Sequence, residues 1–112
     1  MAKTVRLNNG HTMPTIGLGT DFIHDVNHFH SAIMKDGYRL IDTAAMYKNE
    51  EYVGEALNRS MKEGVAREDL FIITKLWMAS FKDPETALRA QLAKLQLDYV
   101  DCFYIHWPAA FF

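Results

Sequence analysis

The sequence predicts an α/β fold, in which a short N-terminal β-hairpin is followed by strands and helices that alternate to the end of the chain. Three observations point to it. Apolar runs of strand length recur at residues 16–20, 38–41, 70–74 and 99–105. Between them, apolar residues return at the 3.6-residue spacing of an amphipathic helix. The polar residues that interrupt this pattern gather at the C-terminal ends of the apolar runs.

Residues 4–7 alternate polar and apolar, Asn8-Asn9-Gly10 is a strong turn signal, and Thr12-Met13 resumes before Pro14, which together predict the hairpin. Ile16-Gly17-Leu18-Gly19-Thr20 is short, apolar and glycine-rich, as expected of a buried strand running into a loop where backbone approaches another group closely. From Asp25 onward Phe29, Ala32 and Ile33 recur at helical spacing, and Gly37 stands where a left-handed cap would fall. Residues 38–41 form the next strand candidate. A helix over residues 51–62 then presents Val53, Ala56, Leu57 and Met61 on one face and closes at Gly64.

Residues 70–74 are a continuous apolar and β-branched run, the pattern of a parallel strand covered on both faces. The next helix has the clearest start: Asp83 can cap it, Pro84 suits its first turn and Glu85 favours the positive end of its dipole. Leu88, Leu92 and Leu95 form its expected buried stripe. Residues 99–105 are the last strand. With no low-complexity linker or composition break, residues 1–112 read as one domain. Strictly alternating elements imply a parallel sheet with right-handed crossovers, which either a doubly wound sheet or part of a (β/α) barrel satisfies.

Composition narrows the function classes. The chain is 49% hydrophobic and 23% charged, enough apolar content to build a core and to exclude disorder. Twelve Lys and Arg against 14 Asp and Glu leave a formal charge of -2, with no basic stripe to follow a phosphate backbone, so nucleic acid is excluded as a partner. Cys102 is the only cysteine, which rules out an intrachain disulfide and fits a reducing cytoplasm. The first residues lack the apolar core of a secretion signal, and no run approaches the roughly 20 apolar residues of a membrane span. The chain therefore reads as soluble and unprocessed.

Asp42, Lys75 and His106 follow the second, third and fourth strands of the alternating series, and Tyr47 lies in the loop after the second. In a parallel barrel those strand ends converge on one mouth. The surrounding strings are Ile41-Asp42-Thr43-Ala44, Tyr47-Lys48-Asn49-Glu50, Val53-Gly54-Glu55-Ala56-Leu57, Thr74-Lys75-Leu76-Trp77, Leu97-Asp98-Tyr99-Val100-Asp101 and Ile105-His106-Trp107-Pro108. Several spaced motifs in this order resemble the aldo-keto reductase family, over a stretch running from the hairpin to Pro108.

The resemblance implies the hairpin plus about four β/α units of an eight-stranded barrel, an incomplete TIM barrel, because such barrels take roughly 200 to 400 residues. It implies a catalytic tetrad of Asp42, Tyr47, Lys75 and His106 that reduces aldehydes or ketones with hydride from NADP(H). Thr20 and Asp42 would contact the cofactor, while Trp77, Trp107 and His106 would line the substrate pocket. No metal is implied. The chemistry stands without the name. A carbonyl oxygen gains negative charge as hydride reaches its carbon, so a donor must supply a proton there. Tyrosine is a weak acid, with a reference pKa of roughly 10, and a nearby ammonium favours its phenolate. Asp42 at pairing distance would keep a buried Lys75 charged.

Blander readings stand beside these. Asp42 and Lys75 could be a structural ion pair, His106 a core histidine with satisfied nitrogens, and the two tryptophans simple packing. Asp21 departs from the resemblance, since many relatives place an aromatic residue directly after the threonine; substrate preference is open for that reason. His24, His28 and His30 include an i, i+4 pair that could hold zinc, but a solvated helix face is the better account of them, since no thiolate or third well-placed ligand is evident. A reading from another class is a catalytically inactive half-barrel, or a subunit that self-associates through its open sheet.

Overall fold

The computed structural model describes residues 3–109. A hairpin comes first: β1 (Thr4–Arg6) runs antiparallel to β2 (Thr12–Pro14), with Arg6 opposite Thr12 and Thr4 opposite Pro14. Gly10 at its tip has φ +88°, a conformation that glycine adopts without steric cost. The Leu7 N–H donates to the His11 carbonyl at 2.7 Å and closes the turn.

Beyond the hairpin the elements alternate as β3 (Gly17–Gly19), α1 (Val26–Met34), β4 (Leu40–Asp42), α2 (Glu50–Lys62), β5 (Phe71–Leu76), α3 (Pro84–Leu95) and β6 (Cys102–Ile105). Short 3-10 turns at Ala45–Tyr47, Arg67–Asp69 and Met78–Ser80 join them. All neighbouring strands of the second sheet are parallel, and their order is β3-β4-β5-β6. That order decides between the two architectures left open above. Each crossover steps one strand in the same direction, so right-handed connections put all three helices on one face; a doubly wound sheet reverses direction and covers both faces. α1 packs on α2 and α2 on α3, giving an arc of a (β/α) barrel.

Strand alternation sends Ile41 and Ile72 toward the helices, where they meet Phe29, Ile33, Val53, Ala56, Leu57, Leu70 and Leu95. Each large side chain fully buried here contributes roughly 1.5 to 3 kcal/mol. Leu40, Phe71 and Ile73 point to the opposite, concave face and are covered by Leu7 and Met13 of the hairpin. The hairpin thus seals the N-terminal end of the sheet and leaves the C-terminal end open. Where α2 crosses α3 the backbones nearly touch: a Cβ on Gly54 would lie 2.5 Å from the Lys94 carbonyl oxygen and 2.7 Å from that of Leu95.

Several elements differ from the sequence expectation. β3 is an edge strand, not a buried one, and Ile16 beside it is 66% exposed. β4 starts two residues late because the Tyr38 N–H is spent on the Ala32 carbonyl at the end of α1. β5 extends to Leu76 because β6 pairs its last residues, with Thr74, Lys75 and Leu76 opposite Phe103, Tyr104 and Ile105, whereas β4 reaches only Ile73. The final strand begins only at Cys102, because residues 99–101 form a loop held by Arg67, which donates to the Tyr99 carbonyl and the Asp101 carboxylate, each at 2.9 Å. In α3 only Leu95 of the expected stripe is buried; Leu88 and Leu92 are half-buried and Gln91 is buried instead. No helix among the described residues is long and apolar enough to cross a membrane.

Candidate active site

Asp42 closes β4, and Lys75 stands one residue before the end of β5 on the same concave face. The Lys75 ammonium donates three ways: to the Asp42 carboxylate, to the Thr43 carbonyl at 2.9 Å and to the Tyr47 hydroxyl at 3.1 Å. Its side chain is only 7% exposed, whereas that of Asp42 is 35% exposed and faces the open rim. Burial by itself pulls the ammonium toward its neutral form. The hydrogen bonds to Asp42 and Tyr47 and the charge of Asp42 outweigh that pull, so Lys75 titrates above the ordinary lysine value and carries its charge throughout the physiological range.

Tyr47 reaches this position because the chain leaves β4 through a 3-10 turn and then reverses at Lys48, whose φ is +55°. A left-handed lysine is uncommon, and the turn persists because its ends are fixed on both sides. His106 follows β6 directly, its N–H bonded to the Leu76 carbonyl at 3.1 Å. The imidazole stands edge-on to the Tyr47 ring at 5.7 Å between centroids and to the Trp77 ring at 5.4 Å, and lies parallel to Trp107 at 6.4 Å. Its Nδ1 is buried with no hydrogen-bond partner. Burial, together with the Lys75 charge, holds the imidazole below its ordinary pKa against the opposing charges of Asp42 and Asp21. At neutral pH His106 is therefore an uncharged hydrogen-bonding group.

The structure thus gathers Asp42, Tyr47, Lys75 and His106 at one rim, flanked by Trp77 and by a Trp107 that is 58% exposed. Thr20 also comes to this rim but is fully buried: its hydroxyl and its N–H both donate to the Asp42 carbonyl, at 2.9 and 3.2 Å. Asp21 follows it, exposed. The helix histidines separate. His30 pairs with Glu63 at 2.6 Å, His24 stands edge-on to Tyr52 and His28 edge-on to Phe29. Among the described residues no three His, Cys, Asp or Glu side chains are grouped to hold a metal.

Two buried polar groups escaped the sequence reading. Asn49 donates its amide to the Thr20 and Ile23 carbonyls, at 2.5 and 2.9 Å. Glu50, 2% exposed, accepts from the Thr74 hydroxyl at 2.8 Å, and Gln91 donates to that same hydroxyl oxygen at 2.8 Å. Burial pushes the Glu50 carboxyl above the usual carboxylate range, although Thr74 and Gln91 oppose the shift. A polar residue one turn before Leu95 in an otherwise apolar stripe was the available signal for Gln91; nothing local marks Asn49.

Comparison with known proteins agrees with this geometry. The model of the Aldo/keto reductase family matches residues 15–110. An aldehyde reductase of Saccharomyces cerevisiae is 50% identical over 96% of this chain and 34% of its own length, and an NAD(P)H-dependent D-xylose reductase of Kluyveromyces lactis is 52% identical over 99% of this chain and 35% of its own. The chain therefore spans about a third of these relatives. A crystal structure of a Bombyx mori aldo-keto reductase in complex with NADP superimposes with a TM-score of 0.90 at 39% identity, covering 97% of this chain and 39% of that one. With sheet order, strand-end residues and family match in agreement, the chain belongs to the aldo-keto reductase family.

Proposed function

We propose that this chain carries the catalytic rim of an NADP(H)-dependent oxidoreductase that reduces small aldehydes or ketones to alcohols in the cytoplasm. The observation that supports it most is the Lys75 ammonium, held charged by Asp42 and bonded to the Tyr47 hydroxyl at 3.1 Å. Two observations support a cofactor beside it. Asp42 keeps a third of its side chain exposed at the rim, and a Cβ on Gly19 would meet nothing within 4 Å, so the end of β3 borders open space. Asp42 and the loop held by Thr20 would face that group, and when bound NADPH would supply hydride.

The chain's own residues handle the proton. As negative charge builds on the carbonyl oxygen, the Tyr47 hydroxyl delivers its proton there, and the Lys75 ammonium stabilises the phenolate left behind. Asp42 compensates the buried ammonium. Neutral His106 donates a hydrogen bond that orients the carbonyl, and Trp77 and Trp107 give the pocket apolar walls.

A titration of the purified chain with NADPH, followed by tryptophan quenching and by turnover of a test aldehyde, checks this. Saturable binding with turnover is the expected result. The second reading, an inactive half-barrel or assembling subunit, is favoured by the open sheet edges at β3 and β6; absence of binding and turnover would replace the first reading with it.

A further inference from the structure

Asn49 is a side chain that touches both sides of the proposed site. It is completely buried, and each polar atom has a use. The amide donates to the carbonyls of Thr20 and Ile23, and Oδ1 accepts from the Thr43 hydroxyl at 3.5 Å. Thr43 in turn offers its carbonyl to Lys75 at 2.9 Å, and Thr20 gives its hydroxyl to the Asp42 carbonyl at 2.9 Å. A circuit of polar contacts therefore runs from the ammonium through Asn49 to the end of β3 and back to Asp42, and the 3.5 Å contact between Thr43 and Asn49 is its weakest link. Two residues before Asn49 lies Tyr47.

The turn that Asn49 grips is anchored at one end by Thr20, bonded to the Asp42 carbonyl, and at the other by Ile23, packed against the core. Its own hydrogen bond, from the Ile23 N–H to the Thr20 carbonyl, is long at 3.3 Å. Phe22 within it takes φ +64° with its side chain 90% exposed, so a disfavoured backbone conformation is adopted with no packing of the aromatic ring in return. The pair of donors on Asn49 ties the carbonyls at both ends of the turn to one buried side chain. Removing them leaves the Thr20 and Ile23 carbonyls without that partner, and a carboxylate of the same shape cannot donate at all.

We propose that Asn49 is a positioning residue, which holds the Thr20–Ile23 turn in register with the Tyr47 loop so that one buried amide sets the spacing of both sides of the site. Calling those sides cofactor-facing and proton-donating rests on the function proposed above; the mechanical coupling does not.

Amide hydrogen exchange on the full 112-residue chain tests the coupling without requiring activity. In Asn49→Ala, the amides of Thr20, Ile23, Tyr47 and Lys48 should exchange about tenfold faster or more relative to those of Ile72 and Thr74 in β5. Asn49→Ser, which keeps one donor, should fall between and serves if the alanine variant does not fold. Leu95→Ala, a core change in α3, should leave that ratio within about twofold. A uniform rise across the chain, or acceleration in the turn without the Tyr47 loop, overturns the proposal. NADPH affinity measured on the same proteins should weaken about tenfold in Asn49→Ala and hold in Leu95→Ala. If the unmodified chain binds no NADPH, the proposed function fails, and the exchange pattern still judges Asn49.

Discussion

At the scale of single residues, the site turns on where protons reside. Among the described residues Tyr47 is the hydroxyl that Lys75 contacts at the rim, so Tyr47→Phe removes the proposed proton donor and little else. Carbonyl reduction in the active protein should fall about 10²- to 10⁴-fold, with nucleotide affinity and circular dichroism unchanged; a Tyr47→Phe protein working at full rate would sink the assignment. His106 offers a second test. Its imidazole is held low by burial and by the Lys75 charge, so Lys75→Met should raise the His106 midpoint in an NMR titration toward the free value of roughly 6.5. Glu50 behaves oppositely. Its folded pKa lies above the unfolded one, so its contribution is fully present below the unfolded value and is lost as pH rises through the folded value. The unmodified chain should therefore lose melting temperature as pH rises above the unfolded carboxylate value of about 4, and Glu50→Gln should lose that part of the decline.

At the scale of elements, α2 begins directly after the Tyr47 loop, α3 supplies Gln91 behind β5, and the two helices pack closely on each other. Gly54 permits that approach. A methyl added there meets rigid backbone at 2.5 and 2.7 Å, not the tip of a flexible side chain. Gly54→Ala should cost about 1 to 3 kcal/mol, read by urea denaturation, in spite of the better helix propensity of alanine. The 3-10 turn at Ala45–Tyr47 makes a related point: residues 42–50 contain no periodic pattern, yet three of the proposed functional side chains lie in or beside this segment.

At the scale of the molecule, the sheet is curved and open. Both edge strands, β3 and β6, have an unpaired side among the described residues, and Tyr104, Ile105 and Trp107 near one edge are 42%, 55% and 58% exposed. Open edges beside exposed apolar side chains promote pairing with another chain. Sedimentation of the isolated 112-residue chain should therefore show association that increases with concentration; a sharp monomer at high concentration would contradict this.

The sequence by itself determined the elements and most of the rim. The helix start at Asp83 was legible because a capping side chain is a local signal, and Asp83 accepts from the Thr86 N–H at 3.1 Å; the periodic face marked the helix after Asp25, whose capping bond from the Asn27 N–H at 2.9 Å only the structure showed. Asp42, Lys75 and His106 were legible as polar breaks at the ends of apolar runs, and Tyr47 through the motif strings around it. Only the tertiary structure decided the order of the strands, and with it a barrel arc over a doubly wound sheet, since both share one alternating sequence. It also decided which strand became an exposed edge, how far β5 extended and which of the α3 leucines were buried. The partners of Asn49, Glu50 and Gln91 were equally out of reach. Asn49 bonds to residues 26 and 29 positions away, and Gln91 to residues 16, 17 and 41 positions away. Hydrogen bonds across such distances leave no periodicity in the chain, because they exist only once packing has brought separate elements together.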